Sequence, residues 1–209
     1  DSDHTGTPVY HDTDLREAAL MLLEVQLADQ VHRLRGVAEG VLVFLDEPVL
    51  GAFGTSAYLF LSTEEVTATL NRLSAVLHRL GALAGVHCCG NTDWGMIARS
   101  DVDIISFDAW GYGETIARYT EDVGTFLERG GWLAWGPVPT TEEIDSATVQ
   151  ECLARLQQGV KLLVEKGIDE GLIRRRMLFT PACGAGSISE EQARRAFALL
   201  EEVRRAASP

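Results

Sequence analysis

His87 and Cys89 stand two residues apart in Val86-His87-Cys88-Cys89-Gly90-Asn91 and offer an imidazole nitrogen and a thiolate, two of the donors that zinc takes. The apolar run Ala82-Leu83-Ala84-Gly85-Val86 before them predicts a buried strand opening into a loop. On an extended segment residues i and i+2 share a side, so both donors can close on one ion while Cys88 turns away. Cys183, in Thr180-Pro181-Ala182-Cys183-Gly184, likewise follows an apolar run, Met177-Leu178-Phe179, and is the candidate third donor. Three donors with one open position is the catalytic arrangement of zinc, whereas structural sites close with four. Spacing alone leaves a second reading open, in which the adjacent Cys88 and Cys89 are small packing residues.

The elements that must position these donors follow a simple alternation. After a polar lead-in, 1–13, an amphipathic helix is expected from Asp14, as N-cap, to about Arg35. Val41-Leu42-Val43-Phe44-Leu45 has the continuous apolar, β-branched character of a strand covered on both faces, and it runs into Asp46-Glu47-Pro48. A helix capped at Ser62 or Thr63, with Glu65 as capping-box partner for Ser62, extends to about Leu80. The cycle repeats through strand 83–86, a short helix 94–99, strand 103–107 ending at Asp108, helix 114–129, strand 131–135, a long helix 142–166, strand 177–180 and a last helix 189–206. Five such repeats predict an α/β fold with a parallel sheet. Asp46, Glu47, His87, Cys89, Asp108 and Cys183 all fall at or just past the C-terminal end of a predicted strand, the edge where parallel sheets hold their sites. No glycine-rich dinucleotide or phosphate-binding motif follows the first strand.

Composition narrows the partners. A 209-residue chain with 46% hydrophobic and 23% charged residues is in the globular range, and one domain over 14–209 is expected. A net charge of −13 repels nucleic acid and anionic membrane surfaces. Four unevenly spaced cysteines suit a reduced, cytoplasmic protein.

His87-Cys88-Cys89-Gly90-Asn91, with Leu45-Asp46-Glu47-Pro48 before it and Ile105-Ser106-Phe107-Asp108 and Pro181-Ala182-Cys183-Gly184 after it, resembles the catalytic barrel of cobalamin-independent methionine synthase. It is similar also to the wider superfamily that holds uroporphyrinogen decarboxylase and the zinc-dependent coenzyme M methyltransferases. The likeness runs in order over 14–207. It implies a (β/α)8 TIM-barrel fold, of which this chain carries five strands matching the fourth to eighth. Five strands cannot close an eight-stranded cylinder, so the remaining strands are expected outside these residues or from another chain. An exposed sheet edge would then favour self-association, and a homo-oligomer is an expectation.

By position, the resemblance implies zinc held by His87, Cys89 and Cys183, with Asp108 where methionine synthases have a ligating glutamate. Asp46 matches the aspartate that holds the amino group of homocysteine, so Asp46 and Asp108 are the expected catalytic carboxylates. Glu47, Trp110 and Trp135 are the further candidates for the substrate pocket. The implied chemistry is methyl transfer to a thiol, made a thiolate by the metal. Two departures matter. Asp108 is a methylene shorter than glutamate, which favours three ligands as in the coenzyme M enzymes. Trp135-Gly136-Pro137 stands where a catalytic histidine is expected, and this stretch looks more like the short forms that take the methyl group from a corrinoid protein or methylcobalamin. A metal-independent decarboxylase and a non-catalytic fragment are the rival readings. Cys88 and Cys152 read as packing thiols, and His4, His11, His32 and His78 as surface residues.

Overall fold

A computed structural model of the protein describes residues 9–55, 58 and 60–207. It is a mixed α/β structure built on a five-stranded parallel sheet flanked by helices. The strands are β1 (Leu42–Asp46), β2 (Leu83–Cys88), β3 (Ile104–Asp108), β4 (Trp132–Val138) and β5 (Met177–Pro181), and they pair in sequence order, each parallel to the next. Parallel neighbours need a crossover, and helices supply it. The helices are α1 (Thr13–Leu34), α2 (Thr63–Arg79), α3 (Trp94–Arg99), α4 (Thr120–Glu128), α5 (Val149–Glu165), α6 (Glu170–Arg175) and α7 (Glu190–Ala207).

Local chemistry explains the boundaries. At α2 the Ser62 hydroxyl accepts the Glu65 N–H at 3.1 Å while the Glu65 carboxylate accepts the Ser62 N–H, the expected capping box. Ser189 and Gln192 do the same for α7. The start of α1 differs from expectation. Asp12, not Asp14, is its cap, with Oδ1 accepting the N–H groups of Asp14 and Leu15 at 3.0 Å. The expected helix 142–166 is broken into a 3-10 turn, Glu142–Asp145, and α5, because Thr148 and Glu151 form a further capping box that starts a new helix. Helix 114–129 also divides, into the 3-10 turn Thr115–Tyr119 and α4, here without a side-chain cap at the break. The sequence reading missed α6, which Asp169 caps by accepting the Leu172 N–H at 2.7 Å. Of the expected lead-in, residues 1–8, including His4, lie outside the described residues. Val9–His11 form a 3-10 turn in which the Tyr10 ring lies 5.3 Å from that of Phe60. His78 departs from a plain surface role: its Nε2 lies 2.7 Å from Asp103 Oδ2, which also accepts the Ala84 N–H.

Strand alternation divides the sheet into two faces. Val43, Val86, Cys88, Ile105, Phe107, Leu133 and Trp135 belong to the cores packed under the helices. Burial of each such large side chain stabilises the fold by about 1.5–3 kcal/mol relative to leaving it in water. The alternate residues form the other face. It begins at Leu42 and Leu83, 45% and 44% exposed, and ends at Asp46, His87 and Asp108. Among the described residues no helix is long and apolar enough to cross a membrane.

Candidate metal centre

Three half-buried side chains from two distant stretches of the chain, His87 and Cys89 at the end of β2 and Cys183 after β5, converge at the C-terminal edge of this second face. One donor atom of each lies within 4.8 Å of the others. The register delivers His87: it sits opposite Asp46 of β1 and Ser106 of β3, all on the same face. The Glu47 N–H donates to the His87 carbonyl at 2.9 Å and so extends the pairing past the end of β1. Strand β2 runs one turn of the pleat further than the sequence predicts, through Cys88, which keeps His87 and Cys89 on one side and sends Cys88 into the core.

Cys183 arrives because the chain after β5 crosses tightly over β4. The Ala182 N–H donates to the Val138 carbonyl at 2.8 Å. A Cβ at Gly136 would stand 2.7 Å from both Ala182 Cα and the Pro181 oxygen, and 2.9 Å from the Phe107 oxygen, so only glycine admits this crossing. A similar close approach joins the loops after β1 and β2, where a Cβ at Gly90 would lie 3.2 Å from Gly51 Cα.

The electrostatics suit a cation. Burial lowers the His87 pKa, against an opposing influence of Asp46, so the imidazole is neutral at pH 7 and keeps a lone pair to give. Its Nδ1 lies 3.0 Å from Ser106 Oγ, while its Nε2 is buried with no partner among the described residues. A buried polar atom left in that condition costs about 1–3 kcal/mol. Burial, with the neighbouring Cys89, raises the Cys183 thiol, against an opposing hydrogen bond from the Gly184 backbone. One nitrogen and two sulfurs around an orphaned lone pair fit a zinc-class ion.

The other expected site residues are placed as follows. Asp46 is exposed and shares the edge with His87. Glu47 turns away to line a cavity of about 160 Å³ with Val49, Leu50, Val66 and Leu70, and burial followed by the Asp46 charge raises its pKa. Asp108 is not brought into the donor group. Its Oδ1 accepts the Gly111 N–H at 2.7 Å and so closes the turn after β3, and burial raises its pKa against that bond and one from the Trp110 backbone. Trp110 is held by Glu143, which its Nε1 meets at 3.1 Å, and by the Arg155 guanidinium, 4.0 Å from the ring centre. Trp135 lies on the helix side, fully buried, with its ring 4.8 Å from that of Phe107 and Gly159 of α5 making room for it. A larger cavity of about 610 Å³ between α5, α6 and α7 reaches Met177 at the start of β5, the end of the strand away from the donors. Sequence reasoning missed Ser106, whose only signal was its place two residues before Asp108 on the same strand face.

No model of a known protein family matches the chain, and no curated protein matches it.

Proposed function

We propose that this chain is the C-terminal part of a (β/α)8 barrel of the methionine synthase type, a cytoplasmic zinc-dependent methyltransferase whose acceptor is the thiol of homocysteine. The observation that carries this reading is the convergence of His87, Cys89 and Cys183 at the C-terminal edge of parallel strands. The partial barrel is supported by strands paired in sequence order and by core clusters that draw strand residues from one face alone. Zinc bound by these three residues would supply Lewis acidity that lowers the pKa of an incoming thiol toward neutrality.

The remaining work falls to the chain itself. His87, whose pKa burial lowers, would offer a bound ion its Nε2 lone pair, and Cys89 and Cys183 would supply the two sulfur donors. Asp46, opposite His87 across the β1–β2 pair, offers an exposed carboxylate to the ammonium group of an amino-acid thiol and so orients it at the metal. The packed loops around Gly51, Gly90 and Gly136 fix the donors before substrate arrives.

One observation favours a second acceptor class. With Asp108 turned into its own loop, the donors among the described residues number three, which suits a coenzyme M-type reading in which another small thiol replaces homocysteine and a corrinoid carries the methyl group. The deciding experiment measures zinc by elemental analysis in the protein and in Cys89→Ser/Cys183→Ser. It then measures methyl transfer from methylcobalamin to homocysteine and to coenzyme M in a chain carrying a complete barrel. About one zinc per chain, absent from the variant, is expected. Zinc-loaded protein that methylates neither thiol rejects the methyltransferase reading.

A further inference from the structure

We infer that Ser106 is the positioning residue of the metal centre, holding His87 so that Nε2, and not Nδ1, is presented to the ion. This inference rests on the reading of His87, Cys89 and Cys183 as a metal site. An imidazole has two nitrogens, and rotation of the ring by half a turn exchanges them. Only a fixed partner on one nitrogen decides which of the two faces the ion. In this protein that partner is the Ser106 hydroxyl, 3.0 Å from Nδ1, while Nε2 lies buried without one among the described residues.

The surroundings of Ser106 leave its hydroxyl that one task. Ser106 is 3% exposed, which shields its hydroxyl from bulk solvent. Its register partners are His87 on β2 and Ala134 on β4, and Ala134 brings only a methyl group. Along the same strand face its neighbours are Ile104, which is apolar, and Asp108, whose Oδ1 is committed to the Gly111 N–H. A buried hydroxyl between an imidazole and a methyl group gains nothing from packing that alanine would not give, and it costs free energy unless it is bonded. With Nε2 on a metal ion, Nδ1 carries the proton and Ser106 Oγ accepts it. The hydroxyl thereby selects the tautomer and blocks the ring flip. Asp46, at the register position on the other side of His87, remains free to meet substrate.

The test uses Co²⁺ as the probe in the wild type, Ser106→Ala and Ser106→Thr. Competition with a chelator measures affinity, and paramagnetic proton NMR follows the imidazole N–H of the one histidine in the group. The wild type is expected to show a strongly shifted N–H that exchanges slowly with water. Ser106→Ala should lose that slow exchange and bind cobalt about 10–100-fold more weakly, with its fold intact by circular dichroism. Ser106→Thr, which restores a hydroxyl, should recover both properties. Equal affinity and equally slow exchange in Ser106→Ala overturn the inference while leaving the metal site standing. Failure of the wild type to take up cobalt or zinc overturns the metal reading and the role of Ser106 with it.

Discussion

Asp108 Oδ1 accepts the backbone N–H of Gly111 at 2.7 Å, and this bond separates the carboxylate from the donors His87, Cys89 and Cys183. The side chain that the resemblance offers as a fourth ligand works instead as a turn cap. Asp108→Asn keeps an oxygen for the Gly111 N–H and is expected to leave zinc stoichiometry unchanged, whereas His87→Ala is expected to abolish it. Elemental analysis of both variants is the check, and loss of zinc from Asp108→Asn would restore Asp108 to the ligand set.

The four thiols should divide into two pairs by reactivity. Cys88 and Cys152 are fully buried, and burial raises both, Cys152 to about 11, so at neutral pH they are inaccessible and protonated. Cys89 and Cys183 are half-buried at the sheet edge. Alkylation of the native, metal-free protein followed by peptide mass analysis should therefore modify Cys89 and Cys183 first, with Cys88 and Cys152 reacting on unfolding. Prior addition of zinc should protect the first pair. Early modification of Cys152 would contradict the packing of α5 and α7 around it.

Glu47 predicts a pH dependence of stability. Burial, then the neighbouring Asp46 charge, raises its folded pKa above the unfolded carboxylate value of roughly 4.3. A raised acid binds its proton more tightly in the folded state, so its contribution is fully present below the unfolded pKa and is lost as pH rises through the folded one. Glu47→Gln removes this loss. The variant should melt above the wild type at pH 7 and close to it at about pH 3–4. A melting difference independent of pH would argue against a buried, titrating carboxyl.

Gly136 links stability to the site. The Cβ of alanine there meets backbone atoms of Pro181, Ala182 and Phe107, none of which can rotate away. Gly136→Ala is expected to destabilise by about 1–3 kcal/mol in chemical denaturation. The same variant should weaken zinc binding, because relief of the clash moves the segment that carries Cys183. Unchanged zinc affinity beside reduced stability would mean that the loop yields without displacing the thiol.

The sequence by itself determined the alternation of strands and helices, the capping boxes at Ser62 and Ser189, and the clustering of donors at strand ends. Each of these is a local property, written in hydrophobic period and in residue spacings of two to four. It misjudged what depends on competition between local signals, as at Thr148, where a fresh cap interrupts an otherwise helical stretch. Tertiary structure alone decided register, and register is a long-range property. Pairing of β2 with β3 sets Ser106 against His87, nineteen residues away, and crossing of the β5 loop over Gly136 carries Cys183 to the edge. It also decided that Trp135 faces α5 and that Asp108 closes its own turn, because a side chain's neighbours are fixed by what folds against it and not by its place in the chain.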